Sequence, residues 1–146
     1  MNKQNSRKIL EMIEDVDPDD EKTVDEINAR VWAFFNLSKG NPRVSFNGGS
    51  IHYRYDHWDE DASTALVHKF EYSDYARSRD ALKSIRPEGW ELGLVPWTDN
   101  GRDLHSYTAT LTHLEREPFF TAPAKTEELA ELHAIIQAYI WEIENE

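Results

Sequence analysis

The sequence predicts a single α+β domain, an antiparallel sheet of about four or five strands sandwiched by helices in an α/β/α-type sandwich. Three observations lead there. Apolar residues recur at helical spacing toward both ends of the chain and alternate with polar ones between them. Residues 75–90, YARSRDALKSIRPEGW, compress a helix start, an apolar stripe, a forced stop and a strand entry into one short stretch. The length, 146 residues with 39% hydrophobic and 12% aromatic composition, suits one domain with a substantial core, since chains near this size bury roughly 68–70% of their extended surface.

The first helix is expected over residues 6–16, where Ile9, Leu10, Met12, Ile13 and Val16 fall at mixed helical spacings. Pro18 breaks it inside an acidic run, so residues 1–22 are expected to form a mobile N-terminal helix and acidic linker. Thr23 then opens a second helix with a capping box, its hydroxyl on the backbone of Glu26 and the Glu26 carboxylate reaching back. Val24, Ile27, Val31, Phe34 and Phe35 give that helix an apolar stripe, and Gly40 with Asn41-Pro42 ends it.

From Arg43 the period changes to two. RVSF and SIHYRY flank Asn47-Gly48-Gly49, a hairpin turn, with Ile51, Tyr53 and Tyr55 on one side and His52 and Arg54 on the other. A third alternating run, Leu66, His68, Phe70 and Tyr72 against Val67, Lys69 and Glu71, reads as a strand. Ser78 caps the next helix, Asp80 suits its N-terminal dipole, and Ala81, Leu82 and Ile85 supply the apolar face. Pro87 stops it, and Gly89 releases the chain into WELGLVPW.

Strands over 90–97 and 104–113 flank a turn marked by Asn100-Gly101, with Tyr107, Ala109 and Leu111 facing one way and Thr108, Thr110 and Thr112 the other. REPFFTAPAK reads as a proline-bounded loop whose Phe119 and Phe120 cover a core edge. The last helix, residues 127–144 behind a Thr126 cap, carries Leu129, Leu132, Ile135, Ile136, Tyr139, Ile140 and Ile143 in one arc. Trp141 projects at about 120° where that arc centres near about 315°, beside Ala134 and Ala138. It is expected either to be covered within the monomer by the N-terminal helix or the Phe119-Phe120 loop, or to anchor an interface, most simply a two-fold homodimer.

Tyr75, Ser78, Asp80, Ala81, Leu82, Pro87, Glu88, Gly89 and Trp90 resemble the signature of the phage ABA sandwich family of small phage and prophage proteins. In that family a tyrosine and a serine-aspartate helix start precede a helix that ends in Pro-Glu-Gly-Trp and leads into a strand. The C-terminal helix introduced by Thr126, TEELAELHAIIQAYIWE, is a second similar stretch. The resemblance implies a helix-sheet-helix sandwich of viral origin and carries over no catalytic motif.

Charge is the strongest compositional signal. The formal net charge of -12 opposes binding to phosphate backbones through a basic groove, so direct nucleic-acid binding is not expected. Glu11, Glu14, Asp15, Asp17, Asp19, Asp20, Glu21, Asp25 and Glu26 face Lys22 alone, so residues 11–26 hold eight of the twelve net negatives. The helix near residue 80 is locally basic, with Arg77, Arg79, Lys83 and Arg86 against Asp80. The absence of cysteine excludes disulfides, thiolate metal sites and a cysteine nucleophile. With no apolar run of about 18 residues and no charged leader before an apolar stretch, the expected location is the host cytoplasm, away from membranes.

Candidate chemistry is sparse. Asp15, Asp17, Asp19 and Glu26 fall at the first, third, fifth and twelfth positions of a calcium loop. Asp20 stands where such a loop needs glycine and Lys22 where it is apolar, so the stretch reads as a solvated acidic linker. His52, Asp56, His57, Asp59, Glu60 and Asp61 cluster in sequence as potential metal ligands, while His68, His105, His113 and His133 are scattered. No nucleophile elbow, phosphate-cradling glycine loop, HExxH or paired-carboxylate motif occurs.

The expected function is therefore non-enzymatic and without cofactor. An acidic phage-type accessory protein would dock Asp15, Asp17, Asp19 and Asp20, with Trp141, onto a basic surface of a host or phage protein. It would act as a nucleic-acid mimic or as an anti-CRISPR-like inhibitor of a host defence complex. The alternative is a metal-dependent enzyme or nucleic-acid-metabolism accessory using the residues between His52 and Asp61.

Overall fold

A computed structural model describes residues 3–37, 39, 41–99 and 102–145; at 3, 4, 94–99 and 102–106 it describes the backbone alone. The chain is α+β, and its described residues form four α-helices and two three-stranded antiparallel sheets. The elements are α1 (Lys3–Asp15), α2 (Glu21–Asn36), β1 (Arg43–Asn47), β2 (Ser50–Arg54), β3 (Ala65–Val67), α3 (Arg79–Ile85), β4 (Trp90–Asp99), β5 (Arg102–His113), β6 (Phe119–Ala124) and α4 (Glu127–Glu144). Strand orders are β1-β2-β3 and β4-β5-β6. No helix among the described residues is long and apolar enough to cross a membrane.

The single sheet of four or five strands covered by helices is thus corrected to two sheets with helices between them. The reason is that α2 has two apolar faces. Ala29, Ala33 and Leu37 pack on Ile51 and Val67 of the first sheet. Val24, Ile27, Val31 and Phe34 point the other way, into a larger core shared by α1, α3, α4 and the second sheet. Phe34 and Phe35 meet Tyr139 of α4 edge-on at 6.3 and 4.9 Å.

Helix α4 is also covered on more than one side. All residues from Leu129 to Ile136 are buried, including Glu131 and His133. Ala130, Ala134 and Ala138 repeat every fourth residue and are fully buried, as are Ala109 and Ala122 of β5 and β6. Small residues of this kind let a helix lie close along a sheet, and α4 runs along β5 and β6.

Several local expectations hold. The hairpin register pairs Asn47 with Ser50, leaving Gly48 and Gly49 as its two-residue loop with Gly48 at φ 62°. Ser78 accepts from Ala81 N–H at 3.2 Å and Thr126 from Leu129 N–H at 3.1 Å. Pro87 turns Arg86 to ψ 127° and α3 ends there. Helix α1 packs Ile9, Ile13 and Val16 into the larger core, and Lys125 Nζ donates to the Val16 carbonyl at 3.1 Å.

Other expectations are corrected. The third strand stops at Val67, because Glu71 accepts from the His68 N–H and winds residues 69–71 into a 3-10 turn. Phe70 is left exposed there, against the His68 ring. The proline-bounded loop is the edge strand β6; Pro123 is tolerated there because one side of an edge strand needs no donor. Phe120, Ala122 and Ala124 face inward along it and Phe119 outward, 64% exposed. The Asn100-Gly101 turn lies outside the described residues.

Candidate functional site

The acidic stretch becomes a built turn. Val16 N–H closes α1 onto the Met12 carbonyl, and Pro18 prevents a further turn. Asp17 Oδ1 then accepts from Asp19 N–H at 3.0 Å, and Asp20 N–H donates to the Asp17 carbonyl at 2.9 Å. The N-cap of α2 is Asp20, not Thr23. Asp20 accepts from Thr23 N–H at 3.4 Å and from the Thr23 hydroxyl at 2.7 Å. Both residues are good caps, and the earlier one gains an extra helical turn. The Thr23 hydrogen bonds hold the Asp20 carboxyl below the usual range.

Because residues 21–26 are helical, they cannot wrap a cation as the second half of a calcium loop does. What remains is an open groove lined by Lys8, Glu11, Met12, Asp15, Val16, Asp17, Asp20 and Thr23. Glu11, Glu14, Asp15, Asp17, Asp19, Asp20 and Glu21 are all exposed.

Several cations are committed elsewhere. Arg30 pairs with Glu26, Lys69 and Arg77 with Asp25, Arg77 also with Asp74, and Arg116 with Glu142. The basic face of α3 is neutralised by α4: Arg79 pairs with Glu127 and Glu128, and Arg86 with buried Glu131 at 2.5 Å. No salt bridge among the described residues engages Glu11, Asp15, Asp17, Asp19, Asp20 or Glu21. Glu14 Oε1 lies 3.1 Å from Nε2 of His133, and Gln137 Nε2 lies 2.7 Å from its Nδ1.

The residues between His52 and Asp61 do not converge. His52 lies on β2 opposite Ser45 and Leu66. Asp56 pairs with Arg43 at 3.1 Å, and His57 packs against Tyr55 at 5.4 Å. Among the described residues no three His, Asp or Glu side chains are grouped to hold a metal ion.

Trp141 is half-buried on the side of α4 that faces the second sheet. Its ring meets Trp90 edge-on at 6.2 Å, and the Arg116 guanidinium stands 5.4 Å from its centroid. Glu142 accepts from both Trp90 Nε1 (2.9 Å) and Arg116 (3.0 Å), tying β4 and the segment after β5 to the end of α4. Trp141→Ala is expected to lower stability by about 2 kcal/mol with no change in mass. Calorimetry with light scattering checks both. An unshifted melting temperature with a dimer-to-monomer change would instead make Trp141 an interface anchor.

Two groupings were not legible in the sequence. One is a buried polar junction: Asn28 Nδ2 donates to Asp74 Oδ1 at 2.7 Å, and Asn28 Oδ1 accepts from Ala76 N–H at 2.8 Å. Beside it the Tyr72 hydroxyl donates to the Gly49 carbonyl, and burial with the nearby Asp25 carboxylate pushes its pKa up to about 12. The other is an aromatic group, Tyr53, Tyr55 and Trp58, whose only sequence signal is a tryptophan inside a polar loop.

Searches against family models, curated proteins and solved structures give no match to this chain.

Proposed function

We propose that this is a non-enzymatic accessory protein of phage or prophage type that acts by binding a basic surface of a host or phage protein. It works as an inhibitor of a host defence complex or as a mimic of a nucleic-acid backbone. The observation that carries this reading is the exposed acidic turn between α1 and α2, where no salt bridge among the described residues engages Asp15, Asp17, Asp19, Asp20 or Glu21. Arg30, Arg77, Arg79, Arg86 and Arg116 are engaged in ion pairs with other carboxylates, while the carboxylates of residues 11–21 stand exposed.

For two of these charges, Glu14 and Asp15, local energetics favour a functional origin. Glu14 and Asp15 sit at the C-terminal end of α1, which has no basic residue in its last turn. There the helix dipole disfavours each carboxylate by about 0.3–1 kcal/mol. Charges kept where they cost stability fit a role in binding. The phage assignment is supported by the resemblance at Tyr75, Ser78, Asp80, Pro87, Gly89 and Trp90.

The test is a triple variant, Asp15→Asn, Asp17→Asn and Asp19→Asn, which leaves the Asp20 cap intact. Stability should stay within about 0.5 kcal/mol of wild type. In pull-downs from bacterial lysate, the wild type should retain a partner at low salt and release it at high salt, and the variant should lose it at both. Equal capture by the two proteins would reduce the turn to a solubilising linker.

A further inference from the structure

Tyr55 and Trp58 are large aromatic side chains that join neither apolar core. Both are half-buried, and the rings they meet are one another, Tyr53 and His57. Their centroids are 5.5 Å apart; Tyr53 lies 6.0 Å from Tyr55 and 5.9 Å from Trp58, and His57 lies 5.4 Å from Tyr55. The three larger rings meet at 54° to 85°, so they do not stack face to face on one another.

The loop that carries them is fastened. Arg54 donates its two terminal nitrogens to the carbonyls of Asp59 and Ala62. Trp58 N–H closes onto the Tyr55 carbonyl at 3.1 Å, and Ala62 N–H onto that of Asp59 at 2.9 Å. A loop held this way loses little entropy when a ligand binds. Asp56, Asp59, Glu60 and Asp61 are all exposed around it. Arg43 takes Asp56, and no salt bridge among the described residues engages the other three.

We propose that this lobe binds an arginine side chain presented by the basic partner. The inference rests on the protein-binding function above and names the chemistry its partner offers. A guanidinium is planar and weakly hydrated, so it can lie against an aromatic face where the ring quadrupole attracts it. The free carboxylates of Asp59, Glu60 and Asp61 meet its charge. A neutral saccharide could also stack on these rings and donate hydroxyls to the carboxylates, but it would leave their charge unmet, as a guanidinium does not. The two acidic loci then divide the work: the α1–α2 turn speeds encounter, and the aromatic lobe slows departure.

The probe is a short peptide of alternating arginine and alanine, compared with its lysine counterpart and with a neutral oligosaccharide. Titration of the full chain should show tighter binding of the arginine peptide and a shift of the Trp58 indole N–H signal. Trp58→Ala should weaken it about tenfold in a chain that stays folded at the assay temperature, as circular dichroism checks. Tyr55→Leu, or Asp59→Asn with Glu60→Gln and Asp61→Asn, should weaken it similarly. Arginine-peptide binding that survives all three changes and disappears in the Asp15, Asp17 and Asp19 variant would overturn the lobe while leaving the protein-binding function standing. Binding of the oligosaccharide at the Trp58 signal would overturn the choice of ligand. No binding of either peptide at low salt would overturn the lobe, while the pull-down above decides the protein-binding function.

Discussion

Replacing Asn28 with alanine is expected to destabilise the protein by about 3 kcal/mol, which for a domain of this length lowers the melting temperature by roughly 10 °C. Asn28 is 3% exposed and Ala76 is 2% exposed. The substitution removes two hydrogen bonds and leaves the Ala76 N–H buried without its acceptor. An unsatisfied buried donor costs about 1–3 kcal/mol by itself, more than the bond it replaces contributes. The junction fastens α2 to the segment that leads into α3, where Ser78 N–H donates to the Asp74 carbonyl. Thermal and denaturant unfolding check the prediction, and a loss below about 1 kcal/mol would mean that water takes the vacated position.

Gly89→Ala should cost about as much, through two separable effects. Gly89 has φ 89°, outside the range that side chains accept easily, and its added Cβ would stand 2.4 Å from Nε2 of His113. His113 cannot simply swing away, because its ring packs on Trp90 at 5.2 Å and its Nδ1 accepts from Glu115 N–H at 3.0 Å. We expect a loss of about 3 kcal/mol, of which the backbone part is about 1–2. Adding His113→Ala should recover the steric part, a coupling that a double-mutant cycle resolves. A strictly additive pair would locate the whole effect in the backbone.

These two sites mark the boundary of what the sequence discloses. Local chemistry was legible: Ser78 and Thr126 cap their helices, Pro87 ends α3, and Gly48-Gly49 turns the first hairpin. Each depends on residues a few positions apart. The layering was not legible, because a stripe analysis assigns one buried face to each helix. Here α2 carries a large-residue face and an alanine face, Ala29 and Ala33, and α4 repeats the device with Ala130, Ala134 and Ala138. Alanine reads as neutral in a periodicity argument, yet its small side chain permits close approach. Trp141 was set apart from the apolar arc on the same ground, and its neighbours are Trp90 and Arg116.

The acidic turn was visible as charge, and its isolation was not. Whether a carboxylate run is neutralised depends on partners distant in sequence, such as Lys69 for Asp25 or Arg77 for Asp25 and Asp74. Only the folded arrangement separates Asp25 and Glu26, which are paired, from Asp15, Asp17 and Asp19. Similarly, the polar loop after β2 reads as a ligand cluster in sequence. In the fold, Arg54 and Arg43 organise it into an aromatic lobe instead.

The central claim is that the exposed carboxylates between α1 and α2 attract a basic partner. The most direct measurement is the association rate constant for a captured partner as a function of ionic strength, for wild type and for the Asp15→Asn, Asp17→Asn, Asp19→Asn variant. Long-range attraction raises association rates and is screened by salt, whereas short-range contacts act mainly on dissociation. We predict a steep fall of the wild-type rate constant with salt, a shallow fall for the variant, and dissociation rates that differ little. The same slope in both proteins would contradict the account.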